Sequence, residues 1–431
     1  MRKIIGIRRE DKNIWERRVP LIPEHVKILK EKSGVESIVQ PFPRRAFSDE
    51  EFINAGAVIN EDMSDCQVII AVKEIPIKLL QPDKTYLFFS HTIKAQEYNM
   101  PLLKKIIDLR CTLIDYECIT DEKGRRLVFF GRFAGLAGMI ETFYGLGQRL
   151  KNMGYDTPLL KVKQAYEYEH VEDAENHLKE IAEEIKNIGM PEIIAPFVFG
   201  FAGYGNVSKG AQQIFNILPF KEISPEELLM LNGKENKIFY KVIFKEEDLA
   251  KPINNSDQFE LSDYYKHPEK YTSKFEKYLD KIDVLVNCIY WDDRYPRLVT
   301  KKYLSSAPDK KVKLICDISC DIDGSIEITH KVTVPDMPAF VYNPKDDSYT
   351  NGFAGEGIVN IAIDNLPTEL PVDSSKAFSD ALSPFIPGII NADLNKSFDE
   401  NDFPDEIKRA VIVYKGELTP EFKYLEEYLP S

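Results

Sequence analysis

The stretch Phe197-Val198-Phe199-Gly200-Phe201-Ala202-Gly203-Tyr204-Gly205-Asn206-Val207-Ser208-Lys209-Gly210-Ala211 decides the fold. The apolar run 197–201 has the length and composition of a strand buried on both faces. Gly203 and Gly205 follow at once, and Ala211, Ile214 and Phe215 then repeat at helical spacing. Strand, glycine turn and helix, in that order, is the context a dinucleotide fingerprint requires. Gly203 permits the tight turn and Gly205 lets the backbone approach a pyrophosphate. The amides opening the helix at Asn206 and Val207 then face the anion. The motif is imperfect, because Ser208 stands where a third glycine is usual and the next glycine is Gly210. A glycine pair alone also serves any turn before a helix; the flanking strand and helix favour the nucleotide reading.

Working outward, the second strand of the nucleotide unit is expected at 220–224. An NAD site usually ends that strand with an acid on the ribose hydroxyls. Here the tip is Ile223-Ser224-Pro225, with Glu226 just beyond and with Lys234 and Lys237 placed to meet a 2′-phosphate. Ser224 is therefore read as the ribose residue, and the cofactor as NADP rather than NAD. Residues 232–282 are polar and rich in Lys and Tyr and read as an insertion without a chemical role. Further buried strands are expected at 283–289, 312–316 and 357–363, and 160–187 as a solvated charged helix.

Toward the amino terminus, residues 1 to about 135 alternate strand patterns (3–7, 67–72, 86–89, 112–115) with helix starts near Pro23, Asp49 and Gln96. The run 131–138 is rich in small residues and precedes an apolar helix, 139–150. The tail carries a helix near 374–382 and is expected to pack back on the first domain. The fold class is therefore α/β, with two Rossmann-like domains, parallel sheets and a cleft between them. Residues 1–137 plus about 375–431 form the substrate (catalytic) domain. Residues 138–374 form the dinucleotide-binding domain, with the insertion near 232–282.

Composition excludes several classes. Of 431 residues, 43% are hydrophobic and 29% charged, as in ordinary globular chains, and the length exceeds one core. A net charge of −14 with interspersed signs argues against a nucleic-acid or anionic-membrane surface. No stretch suits a bilayer span, and Met1-Arg2-Lys3-Ile4-Ile5-Gly6 reads as a first strand rather than a signal peptide. The six scattered cysteines are expected to be buried, reduced thiols of a cytoplasmic protein, not a metal site.

In parallel sheets ligands bind beyond the carboxyl ends of the strands. The expected strands run out into Arg8 and Arg9, into Lys73 and Glu74, into Ser90 and His91, and into Tyr116 and Glu117. In the second domain one strand runs out into Asp317 and Asp321. Each alone is more simply a solvated charge. As a set, a lysine and a histidine can exchange protons near neutral pH, and arginines can clamp carboxylates. With a nicotinamide nearby, that rim suits hydride delivery to a carbonyl or imine carbon of a keto or amino acid.

The segments Glu16-Arg17-Arg18-Val19-Pro20-Leu21, Val72-Lys73-Glu74 and Ser90-His91 resemble the amino-terminal domain of the alanine dehydrogenase and transhydrogenase superfamily. A closer resemblance, to lysine–2-oxoglutarate reductases (lysine-forming saccharopine dehydrogenases), spans nearly the whole chain in order. It runs through Arg8-Arg9-Glu10-Asp11, Gly205-Asn206-Val207-Ser208-Lys209-Gly210, His267-Pro268-Glu269-Lys270-Tyr271, Cys288-Ile289-Tyr290-Trp291, Cys316-Asp317-Ile318-Ser319 and Asp364-Asn365-Leu366-Pro367. The resemblance implies condensation of lysine with 2-oxoglutarate and reduction of the imine to saccharopine. It implies that Lys73 and His91 form an acid–base pair modulated by Glu74, that Arg18 and Arg126 bind substrate carboxylates, and that Glu117 lies near the substrate amine. One of Asp317 and Asp321 would lie by the nicotinamide, with Asp321 favoured. The chain stops before the second dehydrogenase of the bifunctional enzymes. It therefore reads as a free-standing reductase whose product a separate saccharopine dehydrogenase would take next. Ala202 and Tyr204 depart from the hydroxyl residues common in that loop. The rivals are an alanine dehydrogenase-like enzyme on pyruvate and ammonia, and a nucleotide-binding module without turnover. Tyr290-Trp291 and His267-Pro268 disfavour the first, and the full set of polar rim residues disfavours the second.

Overall fold

Ile4–Ile7, Val68–Ile70, Thr85–Phe88 and Thr112–Asp115 are short runs with every residue buried, the pattern of strands covered on both faces. The computed structural model describes residues 3–254, 256–306 and 311–430. It divides into two units, Met1–Phe130 with Pro371–Ser431, and Gly131–Leu370.

The first unit is built on an eight-stranded sheet. Its order is Glu417–Leu418, Val411–Tyr414, Thr112–Asp115, Thr85–Phe88, Val68–Ile70, Ile4–Ile7, Glu36–Val39, Val58–Ile59. From Thr112–Asp115 to Val58–Ile59 the strands are parallel. Val411–Tyr414 joins antiparallel at the edge beside Thr112–Asp115. Helices Pro23–Ser33, Asp49–Asn54 and Met100–Asp108 cover the sheet connections, and each begins within a few residues of its expected position. The tail contributes helix Pro371–Leu382, whose Phe378 lies in this unit's core.

The second unit is also an eight-stranded sheet, ordered Ser348–Asn351, Ala339–Asn343, Ile358–Ile361, Leu314–Asp317, Val284–Asn287, Phe197–Ala202, Phe239–Phe244, Phe220–Glu222. All pairings are parallel except those of the hairpin Ala339–Asn343 and Ser348–Asn351. Two expectations change here. Phe220–Glu222 is the edge strand, and Phe239–Phe244 lies between it and the fingerprint strand. Residues 232–282 are therefore not one insertion, since a core strand runs through them. The outlying piece is smaller: the antiparallel pair Ala250–Pro252 and Tyr271–Ser273, with helix Leu261–Lys266 between. The charged helix, Val171–Ile188, is not solvated all round, for Ala174, Leu178, Ile181, Ala182 and Ile185 form a buried stripe.

The small-residue run does not precede a helix but opens it, since Gly131–Asn152 is one continuous helix. The unit boundary accordingly falls at 130/131 and 370/371 rather than at 137/138 and 374/375. The glycines are tolerated because they allow backbones to touch. A Cβ on Gly135 would lie 1.9 Å from the Val207 carbonyl oxygen, and one on Gly210 would lie 2.1 Å from that of Arg132. Gly210 thus supplies the close packing expected of the fingerprint's third glycine.

Inside the second unit, the fully buried carboxyls of Glu141 and Glu369 interact. Glu141 accepts from the Ala165 N–H at 2.7 Å, whereas neither oxygen of Glu369 has a partner among the described residues. Burial pushes Glu141 up to about 8 from 4.5, and burial with the Glu141 charge pushes Glu369 well above its ordinary value. A carboxyl raised in the folded state contributes its full stability below the unfolded value and loses it as pH climbs through the folded one. Thermal melts of Glu369→Gln should therefore exceed wild type at pH 8.5 by on the order of 2 kcal/mol. The gain should shrink toward zero by pH 5; an equal gain at both pH values would contradict this assignment.

Candidate functional site

Four parallel strands of the first unit end side by side, and the loops leaving them interlock. The Glu10 carboxylate, beyond Ile4–Ile7, accepts from the backbone N–H of Val72 at 2.6 Å and of Lys73 at 3.0 Å. The Asp115 carboxylate, ending Thr112–Asp115, accepts from the N–H of Ser90 at 2.9 Å and of Glu117 at 2.7 Å, and from the Ser90 hydroxyl. These buried acids fix the loops that carry Lys73, Glu74, His91 and Glu117. Burial, with Glu16 nearby, pushes Glu10 up to about 8; burial also raises Asp115. Neither was singled out from sequence.

Between those anchors Glu74 and His91 meet, Oε1 to Nδ1, at 2.6 Å. His91 holds a left-handed backbone at φ 51°, an unusual conformation for a non-glycine residue. Its carbonyl accepts from Asn99, and its ring stacks on Phe89 at 6.3 Å. Lys12 reaches the other Glu74 oxygen at 3.5 Å. Burial alone would raise Glu74, but the hydrogen bond and charge of His91 outweigh it and bring the carboxyl down to about 2. Lys73, partly buried, is the neighbour of Glu74 on the same loop.

The arginines are less simply placed. Arg18 is 1% exposed, its fork donating to both oxygens of Glu16 at 2.7 and 2.6 Å. Its guanidinium lies over the Phe130 ring, 4.1 Å from the centroid. In this conformation its carboxylate partner is internal. Arg126 is half-exposed and bonded to Glu117, so the expected carboxylate binder and the expected amine neighbour occur as a pair.

In the second unit, Gly203 takes φ 92° and donates its N–H to the Phe244 carbonyl. Gly205 is the N-cap of helix Asn206–Phe215 and brings no capping side chain. A Cβ there would meet nothing within 4 Å, which leaves room for a ligand backbone contact. Gly203 and Gly205 line a pocket of about 280 Å³ together with Tyr204, Glu246, Tyr265 and Cys288. Asn206 and Val207 open the helix as expected.

Ser224 does not reach that pocket. Its hydroxyl caps helix Pro225–Met230 by accepting from the Glu227 N–H, and its strand lies at the sheet edge. The strand beside the fingerprint is Phe239–Phe244, with Phe197 opposite Phe239 and Ala202 opposite Phe244. Glu246 follows its carboxyl end. Lys234 and Lys237 precede its amino end, about 15 Å away along the strand. The sequence reading skipped a strand; the signal was the mostly apolar run 239–244, with the acid Glu246 two residues beyond it.

Asp317 is buried, accepting from Asn287 at 2.9 Å and Thr329 at 2.7 Å, and burial lifts it to about 6. Asp321 is exposed in the following turn. No cluster of metal-ligating side chains occurs among the described residues, and none of their helices is long and apolar enough to cross a membrane.

Residues 6–137 match the family described as alanine dehydrogenase/PNT, N-terminal domain, and residues 241–421 match the corresponding C-terminal domain. Alpha-aminoadipic semialdehyde synthase of Arabidopsis thaliana is 40% identical over 442 residues, covering 98% of this chain and 41% of that protein. The mitochondrial protein of the same name from Bos taurus is 38% identical, covering 98% and 48%. The chain thus spans less than half the length of these two relatives. A saccharopine dehydrogenase (NAD(+), L-lysine-forming) of Emericella nidulans is 25% identical, covering 86% and 88%. Among solved structures, an L-alanine dehydrogenase shares the fold with a TM-score of 0.65 at 18% identity, over 99% of this chain and all of that one.

Proposed function

The chain belongs to the alanine dehydrogenase/PNT family, whose fold holds a nicotinamide dinucleotide. From that premise we propose that it condenses the ε-amine of L-lysine with 2-oxoglutarate and reduces the imine to saccharopine. The observation that carries the reading is the Glu74–His91 pair beside Lys73, fixed at adjacent strand ends by Glu10 and Asp115. The name of the relative that matches 86% of this chain, a lysine-forming saccharopine dehydrogenase, supports the same chemistry.

Condensation needs a neutral amine, and reduction needs a protonated imine. Glu74 stays ionised throughout the neutral range and accepts from Nδ1 of His91, which leaves Nε2 to exchange the proton. Lys73 serves the same nitrogen from the neighbouring strand end. Arg126 meets a substrate carboxylate by exchanging it for Glu117, which is thereby released toward the amine. Arg18, locked on Glu16, shapes the floor of the loop. Gly203, Gly205 and the amides at Asn206 and Val207 would hold the pyrophosphate, and Asp321 would lie by the nicotinamide. When bound, the reduced nicotinamide supplies the hydride for the imine carbon.

Oxidation of NADH and NADPH is followed at 340 nm, with lysine and 2-oxoglutarate together and with each omitted in turn. The expected result is turnover only with both. Equal or faster turnover with pyruvate and ammonia would overturn the reading in favour of an alanine dehydrogenase.

A further inference from the structure

His91 keeps a left-handed backbone, and Ala95, four residues on, repeats it at φ 52°. In a residue with a side chain, such a conformation persists only where the surroundings over-determine it. The bond from the Ala95 N–H to the Thr92 carbonyl closes this loop's turn but leaves the carbonyls of His91 and Ile93 to donors from outside. The Asn99 amide donates to the His91 carbonyl at 3.0 Å, and the Tyr424 hydroxyl donates to the Ile93 carbonyl at 2.6 Å. Both donors stand on fixed ground. Asn99 is 5% exposed and leads into helix Met100–Asp108, whose Met100, Leu102, Leu103 and Ile106 are buried. An asparagine in that place ordinarily turns its oxygen back to cap its own helix. Asn99 makes no such cap, and its amide goes to His91 instead. Tyr424 belongs to the tail segment Pro420–Tyr428. That segment is anchored by the fully buried Leu425 and by Thr419, whose hydroxyl donates to the Val411 carbonyl at 2.7 Å.

We propose that Asn99 and Tyr424 are positioning residues for His91: by holding the carbonyls of His91 and Ile93 they fix the left-handed turn that carries the imidazole to Glu74. This rests on the reaction proposed above and names what holds its histidine. Two constraints set the ring, the backbone turn and the contact of Nδ1 with Glu74. A backbone relaxed to negative φ aims the Cα–Cβ bond elsewhere and gives up that contact, leaving Glu74 to Lys12. Asp115 does not substitute for the two donors. It pins Ser90, so it sets where the loop begins but not the φ of the residue that follows. The histidine of the amino-terminal sheet therefore depends on a tail residue whose bond to the loop spans 331 positions of sequence.

The test is a double-mutant cycle on turnover with lysine, 2-oxoglutarate and the reduced nicotinamide cofactor. Asn99→Asp keeps the shape and replaces the donor by an acceptor. It should lower kcat by about thirtyfold, short of losing the imidazole outright, with KM and nucleotide affinity unchanged. Tyr424→Phe should lower kcat by about fivefold. In a His91→Gln background neither substitution should cost anything further. Equal losses with and without His91 overturn the proposal, as does wild-type turnover by Asn99→Asp. Spectra of the free protein carrying 15N-histidine give a readout independent of turnover. A short bond from Nδ1–H to a carboxylate places its proton far downfield. That signal is assigned by its absence from His91→Gln, and Asn99→Asp should lose it. If Asn99→Asp does not fold, Tyr424→Phe carries both readouts, since it removes one hydroxyl from a half-exposed ring. If wild type does not turn over lysine with 2-oxoglutarate, the reaction reading fails on its own. Loss of the downfield proton in the variants then upholds the positioning, and its persistence overturns it.

Discussion

Replacing Lys73 by Met and His91 by Gln together is expected to lower turnover by about 10³-fold or more, the scale of losing general acid–base catalysis. Dinucleotide affinity should not change, because the residues that would hold the cofactor lie in the other unit. Each single variant removes one of two groups serving one nitrogen, so each should cost about a hundredfold. His91→Gln should also release Glu74 from its depressed state, since the imidazole is what outweighs burial there. Steady-state rates beside nucleotide titrations separate the outcomes. Normal turnover by the double variant would remove the dyad from the mechanism.

The largest effect on stability is expected at the contact between helices Gly131–Asn152 and Asn206–Phe215. A methyl at Gly210 must displace the Arg132 carbonyl, and one at Gly135 must displace Val207. Backbone cannot yield as a flexible side chain does, so Gly210→Ala and Gly135→Ala should each cost about 3 kcal/mol or more. Gly205→Ala is the matching control, for its added Cβ meets nothing within 4 Å. It should leave the urea midpoint near wild type yet weaken dinucleotide binding by about tenfold, by crowding the pyrophosphate approach. A stable Gly210→Ala variant would show that the helices can part without loss.

What sequence made legible was local. Strand ends in a parallel sheet are set by apolar runs, so the exits at Lys73, His91 and Glu117 could be read without knowing their partners. The acids that hold those exits could not. Glu10 and Asp115 look like ordinary charged residues until neighbouring strands bring backbone amides to them. Arg18 and Glu16 likewise become a buried pair only through tertiary packing. The misplacement of Ser224 has a topological cause. Chain order makes Phe220–Glu222 the next strand after the fingerprint, whereas sheet order inserts Phe239–Phe244 between them. The helix start at 131, rather than at the expected 139, has an energetic cause in the glycines of 131–138. They disfavour helix in isolation, and only contact with a second backbone offsets that cost.

The antiparallel edge strand Val411–Tyr414 has a consequence for biosynthesis. It completes the sheet begun by Ile4–Ile7, with Val411 opposite Ile114 across almost three hundred intervening positions. On the ribosome, the nascent amino-terminal sheet must wait with Thr112–Asp115 unprotected while residues 131–370 are translated and fold. The first-made segment of that unit is therefore completed only after the second unit has been translated, and during that interval its bare strand edge is the place where a chaperone has something to guard.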